Sequence, residues 1–570
     1  MPAVQVMLLP SGTTVEELAE AGFSPGVMSA GLGTVPPEQT YLDIGQGNRV
    51  FDSLYGEDLP PRTGDRRSWW RAVVQRADSA PADIVPGLLE ATLRKEGAPA
   101  GSFEIGPARL TKASPEGKEL LIAIARPTGR SDDPVPIGIA GPGFDGNLTS
   151  DSTRMDGYVL STDLAPTILG HFGIPIPPEM SGQPIRAEGD VDVGAIESLG
   201  ARMAVISSRR GPVIGLNVAI WLAALLLVVL LSRGRLARPG VRLAGLAIVY
   251  LPLVLLLGAA LEPGETAERL LVFLLAPLLG MATLLLWRGY RALALASALT
   301  VLAYAIDVIA GSPLTSLSLL GPNPGLGVRF YGIGNELEAL LAVLATAGAG
   351  AGLAGFAPRA PRRTCVLVFV AIGLLAALVF AAGRFGADVG AAIVFPVGAG
   401  VAVAVIAGRG RRPLVLALVA APIAVLALLA LVDLVSGANA HLTRSVLDAG
   451  GLGDLADVAQ RRLQLSAHSF ARPVLLAFLP IVALFAVFAY LRRDRLRAWV
   501  AGVPAMRAGL LGALAATVAG TLANDSGALL LEIGTAYLLV FTGFAWAESP
   551  ANSAESKTAD EKLQLRAPHV

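Results

Sequence analysis

Residues 150–185 read SDSTRMDGYVLSTDLAPTILGHFGIPIPPEMSGQPI. At the centre, TDLAPTILGHFG (162–173) has the pattern of an apolar helix, with Thr162 and Asp163 at its start and Gly173 at its end. Its flanks are dense in Pro and Gly turns. Working outward, VQVMLL (4–9), LLIAIA (120–125) and PIGIAG (136–141) are short apolar runs bounded by turn signals, the pattern of buried strands. TVEELAEAG (14–22) is a second helix ended by Gly. Strands alternating with helices predict a layered α/β domain over residues 1–210.

Beyond residue 210 the composition changes. The whole chain of 570 residues is 53% hydrophobic and 16% charged, against about a quarter charged in a soluble domain, and its mean hydropathy is +0.60. Apolar runs of about 20 residues, the length of a helix crossing ~30 Å of hydrocarbon, recur at 213–232, 243–261, 270–287, 292–311, 337–356, 365–383, 389–408, 414–435, 473–491, 505–523 and 527–546. An all-α bundle of about eleven spans is therefore expected over 211–547, with a polar, disordered tail at 548–570. Formal net charge is zero, so bulk charge points to no nucleic-acid partner. The lone Cys365 excludes a disulfide framework or a cysteine metal cluster. The abundance of Ala, Gly, Arg and Val suggests a GC-rich bacterial source.

Arginine sets the expected orientation. The links after odd-numbered spans carry Arg233, Arg235, Arg238 and Arg242, then Arg288 and Arg291, then Arg359, Arg362 and Arg363, then Arg409, Arg411 and Arg412, then Arg492, Arg493, Arg495 and Arg497. The positive-inside rule makes those links and the C-terminal tail cytoplasmic, and places the α/β domain outside. The chain opens MPAVQVMLLPSG, with neither signal nor anchor. An outer domain then calls for an upstream segment, or for the first span to carry it across.

The pieces IGIAGPG (137–143), TDLAPTIL (162–169), GIPIP (173–177) and SGQPI (181–185) together resemble the C-terminal part of the alkaline phosphatase superfamily. VQVMLLPSGTTVEELAEAG resembles its first strand and helix, and GTVPPEQTYLDIGQG (33–47) its nucleophile segment, which places the nucleophile near Thr34. The resemblance covers residues 4–190. It implies two divalent metals held by Asp and His, which activate the nucleophile. The ligand positions here read Pro10-Ser11 and Arg126-Pro127, and His171 is the single histidine of residues 1–210. Turns and caps account for Asp43, Asp132, Asp133, Asp145, Asp151 and Asp163, and packing for His171. The expectation is a pseudo-enzyme: an alkaline-phosphatase-like fold, no metal and no cofactor, retained to bind or position a ligand.

The polar groups of the membrane part are then the functional candidates. They fall at the outer ends of spans. Asp307 ends the fourth. The link that follows contains GVRFYGIGNE, with Arg329, Tyr331, Asn335 and Glu336, and then Glu338. Arg384 and Asp388 lie between the sixth and seventh spans, Asp433 ends the eighth, and Asn524, Asp525 and Ser526 precede Glu532. Arg329, Tyr331, Asn335 and Arg384 are candidate substrate ligands, since guanidinium holds phosphate bidentately. Glu336, Asp388 and Asp525 are candidate acid–base groups. Capping of the fifth helix and ion pairing explain the same residues structurally. GVRFYGIGNE also loosely resembles segments of O-antigen ligases and lipid-linked glycan polymerases. That resemblance implies a lipid-linked or phosphorylated envelope substrate, with membrane lipid as partner. The charges equally suit a transporter or flippase pathway with Asp307, Asp433 and Glu532 as a relay. An active metal-dependent phosphoethanolamine transferase is the third reading. The loop 436–472, with His441, Arg444, Arg461, Arg462 and His468, contains an amphipathic stretch suited to an interface. Gly348 and Gly352 have small-xxx-small spacing for helix packing. Oligomeric state is open.

Overall fold

The computed structural model describes residues 3–62, 65–80, 82–98, 103–129, 133–408 and 478–549, with isolated positions between 420 and 476. It divides into two compact units. The first comprises Met1–Ser207 together with Pro322–Tyr331, and the second holds the rest of the described chain.

The first unit is α/β. Strands β1 (Ala3–Leu9), β2 (Ser24–Ser29), β3 (Phe103–Pro107), β4 (Glu119–Ala125), β5 (Val135–Ala140) and β7 (Tyr158–Leu160) form one sheet in the order β3-β1-β4-β5-β2-β7. Only β5 runs against the others. A separate two-stranded antiparallel sheet pairs β6 (Asn147–Ser150) with β8 (Ile185–Glu188). The helices are α1 (Val15–Glu20), α2 (Pro37–Gln46), α3 (Arg66–Asp78), α4 (Leu88–Lys95) and α5 (Leu164–His171), and α6 (Val193–Arg210) begins here.

The sequence of β4, ELLIAIA, explains its central place. Leu120, Ile122 and Ile124 face a core shared with α2, α4 and α5, while Leu121 and Ala123 face Leu18 and Phe23 on the α1 side. A strand covered on both faces needs a continuous apolar run rather than alternation. Thr14 starts α1 with a capping box: its hydroxyl accepts from Glu17 N (3.1 Å) and the Glu17 carboxylate accepts from Thr14 N (3.0 Å), satisfying two otherwise orphan donors.

The second unit is helical. The run Val193–Leu231 is continuous for 39 residues, with a π turn at Gly211–Gly215 leading into α7 (Leu216–Leu231). Then follow α8 (Ala237–Leu261), α9 (Glu265–Leu286), α10 (Tyr290–Ile309), α11 (Asn335–Phe356), α12 (Arg362–Ala381), α13 (Ala391–Ala407), α14 (Leu479–Leu491), α15 (Arg493–Trp499), α16 (Pro504–Ala523) and α17 (Gly527–Glu548). Eight helices among the described residues are long and apolar enough to cross a membrane. The expected run 389–408 appears as the shorter α13, and 473–491 as the shorter α14. The run 414–435 falls mostly outside the described residues, as do Asp132, Asp433, His441, Arg444, Arg461, Arg462, His468 and the tail from 550.

Glycines let α11, α13 and α16 approach backbone to backbone. A Cβ at Gly350 would lie 2.7 Å from Ala505 O, and one at Gly512 would lie 2.5 Å from Gly398 O. With no hydrophobic drive between helices in lipid, such contact is what holds them.

Candidate functional site

The polar groups separate into two places. In the α/β unit, the carboxyl ends of the parallel strands are where an open sheet of this kind binds ligands. The metal positions implied by the resemblance lie there. Thr13 donates through both N and Oγ1 to Pro10 O, closing the turn after β1, and Arg126 N donates to Leu9 O, extending the β1–β4 ladder by one bond. No group of three or more His, Cys, Asp or Glu able to hold a metal occurs among the described residues. His171 packs edge-on to Phe172, ring centres 5.7 Å apart, and partial burial lowers its pKa. Thr34 lies exposed in the turn between β2 and α2.

Two carboxylates differ from expectation. Asp163 caps the 3-10 turn leading into α5 by accepting from Leu160 N, as its place at a helix start suggests, but it does more than cap. It is fully buried and accepts from Ser150 Oγ (2.7 Å), Ser152 Oγ (2.5 Å), Leu160 N (3.0 Å) and Gln183 N (2.9 Å). Burial raises its pKa and these four donors oppose the rise; it ties the end of β6 to the turn before α5. Asp43 is neither cap nor turn residue. It lies inside α2, 1% exposed, and Gln39 and Gln46 donate to its Oδ1 at 2.8 and 3.0 Å. Burial pushes it up to about 7, against those amides and the charges of Arg49 and Arg76. Asp151 lies in a turn, as expected, and also pairs with Arg186 at 2.8 Å on the surface.

The strand ends carry a segment from far along the chain. Pro322–Tyr331 belongs to this unit and forms a strap across β2 and β7. Arg49 Nη2 donates to Gly327 O (2.7 Å), Gly33 N to Leu326 O (2.8 Å) and Tyr158 OH to Pro324 O (3.0 Å). Arg49 Nη1 also donates to Ser29 Oγ and Gly31 O, both at 3.1 Å. Phe330 is buried against the Tyr158 ring, and the Tyr331 ring lies 4.3 Å from the Arg154 guanidinium. Gly327 permits this path. Its φ is +70°, and a Cβ there would lie 2.4 Å from Gly31 O, so only glycine fits. Arg329 and Tyr331, grouped by the sequence with the membrane candidates, thus lie in the α/β unit.

In the helical unit, the remaining candidates gather at one end of the bundle. Gly332 N donates to Ser312 Oγ (2.9 Å) and Ile333 N to Gly386 O (3.0 Å), which joins the start of α11 to the links after α10 and α12. Asn335 Nδ2 donates to Asp525 Oδ1 (3.2 Å), and Asn524 Nδ2 to Glu338 Oε2 (2.7 Å). Glu338 is fully buried, and a Cβ on Gly390 would meet its carboxylate at 2.6 Å. Asp388, 3% exposed, lies two residues before Gly390. Glu336 pairs with Arg210 at 3.2 Å, and Arg210 also donates to Gly321 O. Asp307 accepts from Leu314 N and Thr315 N, closing the turn after α10. Arg384 is exposed and lies 6.0 Å from the Phe385 ring centre. The structure thus brings together Asn335, Glu338, Asn524, Asp525 and the Asp388 link, and gives Glu336 a partner, Arg210, that adjacency in sequence does not signal.

At the opposite end, Arg242 pairs with Glu548 (2.6 Å) and donates to Ala547 O, and Arg291 Nε donates to Gly355 O (2.8 Å). These cations sit at helix C-termini, where carbonyls and the helix dipole favour them. A cavity of about 370 Å³ lies there, lined by Arg362, Cys365, Arg507 and the end of α11.

Comparison of the chain with family models, curated proteins and solved structures gives no match.

Proposed function

We propose that the chain is a multi-pass bacterial envelope protein of about eleven spans, with the α/β unit outside and the C-terminus cytoplasmic. It acts on a lipid-linked or phosphorylated envelope substrate at the Glu338 end of the bundle. The carrying observation is Glu338 itself: a carboxylate with no exposed surface, hydrogen-bonded by Asn524, in an apolar bundle. Such a group is costly to keep and marks a working site. Asn335, Glu336, Asp525 and Asp388 supply further acid–base and hydrogen-bonding capacity around it, and exposed Arg384 supplies a cation for phosphate. The α/β unit is read as an alkaline-phosphatase-like pseudo-enzyme, because Pro10, Ser11, Arg126 and Pro127 stand where metal ligands are needed.

The test is Glu338→Gln, which keeps the volume and an acceptor for Asn524. At normal protein levels it should change the surface glycan or lipid composition of the cell as strongly as deletion does. An unchanged composition refutes the reading. Glu532, half-buried within α17, favours transport as the second reading. In vesicles, transport driven by an ion gradient and lost in Glu338→Gln would select it.

A further inference from the structure

The strap uses donors that a carbonyl serves poorly. Arg49 makes no ion pair among the described residues; its guanidinium ends on two carbonyls and one hydroxyl. Asp43 and Asp163 support its charge only from a distance, and burial lowers its pKa. An anionic oxygen adds charge pairing and bidentate geometry that a neutral carbonyl cannot offer a guanidinium. The strap also occupies Tyr158 OH and Gly33 N–H. All three donors are engaged by carbonyls of Pro324, Leu326 and Gly327, within one short turn. Arg49 and Tyr158 both reach the Ser29 hydroxyl, so the cation and the phenol lie side by side.

We infer that Arg49, Tyr158 and Gly33 form a binding site for a small oxyanion, phosphate or carboxylate, and that the Pro322–Tyr331 strap is its resident occupant. Strap and anion exclude one another, because the same N–H and O–H groups serve both. Withdrawal of the strap frees a cation and two neutral donors at the same stretch of the strand ends, a set that suits an oxyanion. Anion binding in turn holds the strap away. This site uses none of the Glu338 groups and stands or falls separately from the bundle reading.

The experiment uses the full-length protein in detergent. Gly327→Ala places a Cβ 2.4 Å from Gly31 O and 2.7 Å from Ser29 Oγ at a positive φ, and should dislodge the strap. Strap release is read by mass spectrometry as the rate of tryptic cleavage after Arg329. Anion binding is read by calorimetry with inorganic phosphate, and separately with malonate, which tells phosphate from carboxylate preference. Gly327→Ala should raise both cleavage and affinity about tenfold, the effect of losing one anchoring interaction. Adding Arg49→Gln should abolish the binding, and phosphate or malonate should accelerate cleavage of the unaltered protein. Tyr158→Phe, which removes one anchor at constant ring volume, should move cleavage in the same direction and serves if Gly327→Ala does not accumulate. Faster cleavage without added binding of either anion overturns the site. Binding that survives Arg49→Gln overturns the role of Arg49, and cleavage unchanged in both strap variants overturns the strap as occupant.

Discussion

Replacing Asp43 with Asn tests the electrostatics of the α/β unit. Asp43 accepts two amide hydrogen bonds through one oxygen, and Asn keeps that oxygen while removing the charge. Burial lifts the folded carboxyl from 3.8 to about 7. The folded state therefore holds a proton that the unfolded chain has released, across the whole window between those values. Its contribution to stability is fully present below the unfolded pKa and is lost as pH rises through the folded one. The slope is about 1.4 kcal/mol per pH unit, and over about three units the loss sums to about 4 kcal/mol. Hydrogen exchange of α2 peptides in the purified protein, corrected for intrinsic rates, measures the opening free energy at each pH. Between about pH 5 and pH 7 it should fall by about 2 kcal/mol in the unaltered protein and stay nearly level in Asp43→Asn. Equal slopes in the two proteins would refute the assignment of the proton to Asp43.

Three further outcomes follow from packing and pairing. Arg76 is 3% exposed, pairs with Asp52 at 2.6 Å, donates to Gln39 and stacks 3.6 Å from the Tyr55 ring centre; Arg76→Ala should destabilise the α/β unit by about 3–5 kcal/mol in denaturant titration. Arg209 pairs at 3.0 Å with Glu268, which has no exposed surface, so Arg209→Met should cost a similar amount and lower the yield of folded protein, while Glu268→Gln partly restores it. Gly348→Ala meets Ser297 Cβ at 2.7 Å, whereas at Gly352 the nearest atom is 3.8 Å away. The first should lower the melting temperature in detergent, by about 1–3 kcal/mol of overpacking, and the second should leave it unchanged.

The elements that the sequence makes legible are those whose signal is local. The apolar runs of β1, β4 and β5, the caps of α1 and the span-length stretches of α8 to α12 are each written in a few consecutive residues. Relations between distant residues are not. GPNPGLGVRFYGIGNE reads as one polar link, yet the fold assigns Pro322–Tyr331 to the α/β unit and Gly332 onward to the bundle. Nothing in that stretch reveals that Gly327 must fit beside Gly31, nearly three hundred positions earlier. Asp43 was hidden for a related reason. Turn and cap chemistry accounts for it in sequence, whereas its burial comes from Arg76 and Tyr55 closing over α2. The pairing of Glu336 with Arg210 joins two segments whose separation along the chain carries no periodic signal.

The π turn at Gly211–Gly215 has an evolutionary consequence. It contains one residue more than the regular helix on either side of it needs, and Pro212 lies in it, where a missing N–H would otherwise kink an α-helix. Such a turn is what a single-codon insertion into a continuous helix leaves behind. Deleting one residue there would restore the ordinary winding and rotate every side chain of Leu216–Leu231 by about 100° about the axis. Asn217 and Trp221, which now donate to Arg269 O and Phe273 O of α9, would be turned away from those partners. Chain length at this one position therefore matters more to these contacts than the identity of the residues that fill it.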